Sequence, residues 1–462
     1  MNLEKITILQ ATEKHLYEIL HVLNQATINQ HQNKDLRWDY PWEAEDILPT
    51  VEAKEFFVAV MDFQTIAAFR ISGSQTSSAV MLKEGVFLDY VAILPELMCD
   101  ELSDFITGYA RDFVGLEALN FDILGYVLDF AKVLLAVDSP SGFCMEAIKL
   151  VEDEAKRLGF VTSKNAKGNL IIDIMGSGDK TVGLCAHVDT LGLMVRSIRG
   201  DGTLAFTPLG GPILPTYDGE YCNVHTRNGD VFTGTILSNQ TSIHVHKEAS
   251  TAARNADTMH IRLDEVVKNK ADVVKLGISN GDIVAIDPKT VITPSGFVKS
   301  RFLDDKISVS CLMGILALIN KKNMSFKKNI KFIISTYEEV GHGSSHIPHE
   351  IEELIAVDMG CIGDDLACTE FDVSICAKDS SGPYDYDLTS KLIDLAKAEN
   401  LKYVVDIYPM YGSDVSAALR AGANIRGALI GPGVAASHGM ERTHKDALDN
   451  TIKLLLAYLK AE

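Results

Sequence analysis

Five acidic or imidazole-bearing positions recur in fixed order along the chain, each beside a run rich in apolar residues: His187-Val-Asp189, Asp304-Asp305, Glu338-Glu339, Asp358 and His438. Apolar runs of strand length that close on a polar side chain constrain the fold more than any other feature. They describe the buried strands of an α/β sheet, where functional groups gather at the carboxyl ends. Histidine, aspartate and glutamate in such a row are what a pair of divalent cations needs. One carboxylate bridges, and a second, uncoordinated one activates water.

Three segments surround this row. Residues 1–118 read as a small α/β unit. A helix runs from Thr12 to about Gln30 with Leu16, Ile19, Leu20 and Leu23 on one face, and strand-like runs follow at 56–60, 66–71 and 87–93. Trp38 and Trp42 read as core of this unit. Residues 119–192 and 296–462 alternate helix and strand patterns, which implies a mixed sheet flanked by helices. Between them, residues 193–295 change to short strands with Gly, Pro and Asn-Gly turns, the texture of a small inserted β-barrel.

At 462 residues, two or three domains are expected. A net charge of -20 argues against a nucleic-acid partner, since phosphate binding wants clustered Lys and Arg. No apolar stretch is long enough to span a bilayer, and the amino-terminal residues lack a basic-then-apolar export pattern. Eight cysteines without a CxxC pair suit reduced structural thiols. The expectation is a cytoplasmic protein.

Each polar position also has a simple structural explanation. A buried His187 with an Asp189 partner is common in cores; Asp304 and Asp305 suit a helix start, and Glu338-Glu339 a solvated turn. The chemical reading is more specific. Asp189 sits behind His187 and fixes its tautomer. One of Asp304 and Asp305 bridges while the other supports it, with Asp304 taken as the ligand. Two adjacent glutamates repel unless a cation offsets the charge, so Glu339 on metal leaves Glu338 free to move protons. His244 and His246 alternate on a strand of the insertion, where a surface or interface role fits better than a further metal.

From about Leu128 to the carboxyl terminus, these motifs together resemble the TET/FrvX-type dimetal aminopeptidases, glutamyl-aminopeptidase-like members of a metallopeptidase clan. The resemblance rests on His187-Val-Asp189-Thr-Leu-Gly192, Leu303-Asp304-Asp305-Lys306, Glu338-Glu339-Val340-Gly341, Val357-Asp358-Met359-Gly360, Gly412-Ser413-Asp414 and His438. It implies that His187, Asp304 and Asp358 hold one ion and that Asp304, Glu339 and His438 hold the other. Glu338 then acts as general base and acid, and Asp189 orients His187. The implied cofactors are two divalent ions per subunit, zinc or cobalt. The implied reaction removes N-terminal residues from short peptides through a bridging hydroxide, with Tyr411, Ser413 and Asp414 as substrate contacts. Homo-oligomers from dimer to dodecamer, joined through the β insertion, are implied as well. Two departures stand out: Lys306 replaces the family's Arg, and His438-Gly-Met-Glu441 replaces its His-Ser-Pro-x-Glu. A dimetal amidase or deacylase acting on an N-acylated compound is the rival within hydrolases, and a non-catalytic scaffold of the same fold is the rival outside them.

The first segment resembles the opening of a GNAT-type acetyltransferase, through the strand 87–93 followed by Leu94-Pro95-Glu96 and a helix. That family places a Gly-rich, basic turn there to cradle a pyrophosphate. Leu97-Met98-Cys99-Asp100-Glu101-Leu102 has no glycine and carries two carboxylates, so the expectation is a truncated GNAT-like domain without a cofactor site.

Overall fold

The computed structural model describes residues 3–33, 41–62, 64–72, 80–83, 86–119 and 121–461, so Trp38 lies outside the described residues. The chain divides into two compact units, Met1–Phe121 and Asp122–Glu462.

In the first unit, strands β1 (Ile6–Gln10), β2 (Phe56–Met61), β3 (Gln64–Ser72), β4 (Val80–Lys83) and β5 (Val86–Ile93) form an antiparallel sheet of order β1-β2-β3-β5-β4. Both faces of β2 are buried. Phe56 and Val58 pack with Ile19, Val22 and Leu23 of helix α1 (Leu16–Gln32) and with Ile47 and Val51 of α2 (Ala44–Glu52). Phe57 and Ala59 point the other way, to Leu102 and Ile106 of α3 (Asp100–Leu119), as the period of two along a strand requires. Trp42 is partly buried against that first cluster; its Nε1 donates to Thr27 Oγ1 (2.9 Å) and its ring meets Tyr90 edge-on at 5.3 Å. Helix α3 opens on Asp100 and Glu101.

The second unit begins with α4 (Ile123–Leu135), α5 (Met145–Arg157), β6 (Val161–Lys164), β7 (Leu170–Ile174) and β8 (Thr181–His187). The chain then leaves for a closed six-stranded barrel. Its strands are β9 (Gly192–Ile198), β10 (Leu204–Leu209), β11 (Tyr221–His225), β12 (Val231–Ser238), β13 (Met259–Leu263) and β14 (Ile283–Ile286), with a short α6 (Lys270–Lys275). His244 and His246 fall in turns between β12 and β13, not on the strand that their alternation suggested; Ser242 accepts the backbone N–H of His246 there (2.9 Å). The hairpin β15 (Val291–Ile292) and β16 (Phe297–Ser300) returns the chain to α7 (Leu303–Lys322).

The order from there is β17 (Asn329–Ser335), β18 (Ile351–Val357), β19 (Gly360–Cys361), β20 (Val373–Asp379), β21 (Gly382–Pro383), α8 (Tyr386–Ala398), β22 (Tyr403–Ile407), α9 (Asp414–Arg420), β23 (Arg426–Val434), β24 (Glu441–His444) and α10 (Lys445–Lys460). The main sheet runs β21-β20-β23-β18-β8-β17-β7-β6, with β22 beside β20 and β19 beside β23. Its centre, β23-β18-β8-β17, is parallel, and every residue of β8 is buried. A continuous apolar run is what a strand covered on both faces needs. Helix α7 is buried from Leu303 to Ile319, so it lacks the polar face of a surface helix. Asp304 and Asp305 keep non-helical dihedrals at its start, and the regular helix follows them.

Candidate active site

The four central parallel strands end on the same side of the sheet. β8 ends on His187, β17 leads within three residues to Glu338, β18 is followed by Asp358, and β23 leads on to His438. Gly431 makes the last approach possible: a Cβ there would lie 1.8 Å from the carbonyl oxygen of Asp358. His438 itself takes a left-handed backbone, φ 64°, a conformation that non-glycine residues hold only where the surroundings impose it.

Asp304 stands between the two imidazoles. Its Oδ1 lies 3.2 Å from His187 Nε2 and its Oδ2 lies 3.6 Å from His438 Nε2. Glu339 Oε2 is 3.6 Å from the same His438 nitrogen, and Glu338 Oε2 is 3.6 Å from His187 Nε2. Asp304, Glu338, Glu339 and His438, with Asp358, Tyr411, Ser413 and Arg420, line a cavity of about 240 Å³, and His187 is buried behind it. Of the three residues expected to contact substrate, Tyr411 and Ser413 line it and Asp414 does not. Asp414 is buried, accepting from Ser335 Oγ (2.5 Å) and from the backbone N–H of Ser344 (2.6 Å), which pins the loop after the glutamate pair.

Asp189 does more than was expected of it. Its backbone carbonyl, at 2.9 Å, is the nearer acceptor for His187 Nδ1; its carboxylate is 3.5 Å away. The carboxylate accepts instead from the backbone N–H groups of Glu338 (3.1 Å) and Glu339 (3.2 Å) and from Ser141 Oγ (2.5 Å). Asp305 Oδ2 accepts the His187 backbone N–H at 3.2 Å. Lys306 is fully buried and donates to the Val137 carbonyl at 2.6 Å, away from the cavity.

Three contributors were missed. Glu441, noted only as part of a changed motif, is buried and accepts the backbone N–H groups of both Asp304 (3.0 Å) and His438 (2.9 Å). The carbonyl of Gly211, from a loop after β10, accepts from His438 Nδ1 at 2.9 Å. Arg420 brings a cation to the cavity wall. Backbone partners such as the Gly211 carbonyl carry no signature in side-chain spacing. The carboxylate of Glu441 did carry one, three residues after His438.

Electrostatics shows why this set suits cations. Burial drives the carboxyls of Asp305, Glu338, Glu339 and Glu441 well above their ordinary range, and neighbouring carboxylates add to the effect. Asp358 is pushed up to about 7 by burial and by Asp304. Burial acts in the same sense on Asp304, but the flanking His187 and His438 outweigh it and hold its carboxyl low. Glu339 Oε1 and Asp305 Oδ1 are buried with no hydrogen-bond partner among the described residues. Ligand atoms of His187, Asp304 and Glu339, and of His187, Asp305 and Asp358, come together within 4.8 Å. To stay ionised, carboxylates this dense and this dry need positive charge between them, and imidazole with carboxylate is a donor set for divalent ions.

Comparisons with known proteins agree on the fold. A dodecameric TET1 structure superposes with a TM-score of 0.64 over 72% of this chain and 99% of that one, at 21% identity. An aminopeptidase of the archaeon Desulfurococcus kamchatkensis gives 0.66 over 73% and 95%, at 20% identity. The fold is that of the TET aminopeptidases. The model of the M42 glutamyl aminopeptidase family matches residues 168–454, wholly inside the second unit. A putative aminopeptidase of Bacillus subtilis (strain 168), YhfE, is 46% identical over 336 residues, which are 72% of this chain and 97% of that protein. A putative aminopeptidase of Acetivibrio thermocellus is 25% identical over 340 residues, 71% and 97% of the two chains. The chain belongs to the M42 glutamyl aminopeptidase family, whose members are metal-dependent hydrolases.

Proposed function

We propose that the protein is a two-metal aminopeptidase that removes N-terminal residues from short peptides. The observation that carries this is Asp304, buried and in contact with both His187 and His438 among carboxylates that burial holds well above their ordinary range. His187, Asp304 and Asp358 would hold one divalent ion and Asp304, Glu339 and His438 the other, with zinc or cobalt suited to the donors. When bound, the ions supply Lewis acidity to the scissile carbonyl and lower the pKa of water.

The chain's own residues do the rest. Glu338 takes a proton from the attacking water and returns it to the leaving amine; its dry setting beside other carboxylates raises its proton affinity toward that task. Asp189 fixes both glutamates by their backbones and His187 by its tautomer. Tyr411 and Ser413 line the cavity and would contact the substrate there. A set of eight unpaired cysteines supports a reducing, cytoplasmic location. No helix among the described residues is long and apolar enough to cross a membrane. Assembly through the barrel into a homo-oligomer, from dimer to dodecamer, belongs to the same reading; what supports a homo-oligomer is that the Pyrococcus horikoshii TET1 peptidase, similar in fold, can assemble into a tetrahedron or a large octahedral shell.

The test combines elemental analysis with an aminoacyl-arylamide panel, run with free and N-acetylated substrates across zinc, cobalt and manganese. The expected outcome is bound divalent metal, chelator-sensitive cleavage of free-amine substrates, and no cleavage of acetylated ones. Preference for the acetylated compounds would instead establish the amidase or deacylase. Absence of both metal and activity would leave only the scaffold.

A further inference from the structure

At the opposite edge of the main sheet lies a second concentration of like charge. Lys180 immediately precedes β8, and Lys328 immediately precedes β17; Thr181 and Asn329 are register partners, so the two lysines enter side by side. Lys391, from α8, completes the group around a cavity of about 30 Å³, whose wall also includes Thr181, Glu352 and Glu353. A pocket of that size exceeds the roughly 10–15 Å³ that one small polar occupant requires.

The central lysine is the unusual one. Lys328 is only 7% exposed, and its Nζ is buried with no hydrogen-bond acceptor among the described residues. Its ammonium sits 5.0 Å from the centre of the Tyr458 ring, and Lys391 Nζ sits 5.6 Å from the same ring. Two ammonium groups therefore lie against one aromatic ring. The nearby carboxylate does not resolve this. Glu353 is already committed to Arg426 and, at 2.6 Å, to the Tyr458 hydroxyl. Burial, with the charges of Lys391 and Lys180, pushes Lys328 down to about 8. A buried donor without an acceptor costs free energy that a bound acceptor of negative charge recovers. In a chain of net charge -20, three lysines around one small pocket are a local exception that solubility does not explain.

We propose that Lys328, Lys391 and Lys180 form an anion-binding site at the amino-terminal edge of the sheet, sized for one halide ion or one phosphate oxygen. The site is distinct from the catalytic cavity. The strands β8, β17 and β18 are each seven residues long, so the two edges lie on the order of 20 Å apart. The bound anion would tie the entry ends of β8 and β17, whose exit ends carry His187 and the Glu338-Glu339 turn, to helix α8. Its effect is on the stability of that frame.

The test uses the full chain. Crystals soaked in sodium bromide are measured for anomalous scattering, and the unfolding temperature is followed against bromide and inorganic phosphate. Lys328→Met and Lys391→Gln are compared with Lys321→Gln, an exposed lysine elsewhere that controls for general screening. The expected result is a bromide peak within hydrogen-bond distance of Lys328 Nζ. The unfolding temperature of wild type and Lys321→Gln should rise with anion concentration, and this rise should be lost in Lys328→Met and reduced in Lys391→Gln. A rise with phosphate and not bromide supports the site and identifies its occupant as an oxyanion; the reverse identifies a halide. No peak together with no rise overturns the proposal, as does a rise that Lys328→Met retains.

Discussion

The two ends of the parallel strands at the centre of the main sheet are charged in opposite senses. At the carboxyl edge, β8, β17 and β18 lead to His187, the glutamate pair and Asp358, with Asp304 between the imidazoles. At the amino edge, the entries to β8 and β17 bring Lys180 and Lys328 beside Lys391. In each place burial has moved the protonation of some groups against charge: Glu338 and Glu339 upward, Lys328 downward. The difference lies in connectivity. The acidic edge is cross-linked by oriented hydrogen bonds, from Asp189 to the backbone of Glu338 and Glu339 and from Glu441 to the backbone of Asp304 and His438. The basic edge leaves the Lys328 ammonium without an acceptor among the described residues. Oriented groups perform chemistry; an unsatisfied but fixed charge gathers a counter-ion.

The largest expected effect is at the acidic edge. Replacing Glu338 by Gln preserves shape and removes the proton acceptor, so kcat should fall on the order of 10²–10⁴-fold, with bound metal retained. Steady-state kinetics beside elemental analysis checks this; an unchanged kcat would remove Glu338 from the reaction. A smaller loss follows from Asp189→Asn. An amide presents one oxygen where a carboxylate now accepts from two backbone N–H groups and a hydroxyl, so activity or metal affinity should fall about 10–100-fold. A loss as severe as that of Glu338→Gln would give Asp189 a direct part in the chemistry.

The smallest effect belongs to the basic edge and appears in pH. Lys328 is held at about 8 against an ordinary value of 10.5, facing Lys180, Lys391, Glu352, the Glu353–Arg426 pair and Tyr458. Below about pH 8, folded and unfolded chains both carry its proton, and the buried charge weakens the fold throughout that range. Between about 8 and 10.5 the folded chain releases the proton while the unfolded chain keeps it, so stability is gained as pH rises. Without added anion, wild type should therefore gain on Lys328→Met across that window, as read by denaturant unfolding. Saturating anion should flatten the gain.

Much of the site was legible because its residues follow strands. A seven-residue apolar run that ends on His187 announces both a buried strand and its exit, and the same holds for the run before Asp358. Helix α7 was legible for a different reason: apolar residues on all sides mean a helix buried on all sides. Helix α2 was missed because it is a single short stretch with Pro49 inside it, and α9 because its seven residues are too few to show a period. His244 and His246 mimicked a strand because two alternating pairs, Ile243-His244 and Val245-His246, imitate its period over a span too short to test it. Asp414 was read as a substrate contact from its place in a motif. Whether its carboxylate faces a cavity or the Ser344 amide depends on packing that local sequence does not encode.

The sequence by itself determined the fold class, the inserted barrel and the residue types at the strand ends, because hydrophobic periodicity and side-chain chemistry are local properties. Only the tertiary structure decided which atoms meet. It turned the Asp189 carboxylate to the glutamate backbones, recruited Glu441 and the Gly211 carbonyl, and set Lys328 beside Lys391 from a helix more than sixty residues away in the chain. Those contacts join segments far apart in sequence. They are set by strand order, register and the direction of buried side chains, which arise only once the sheet has closed.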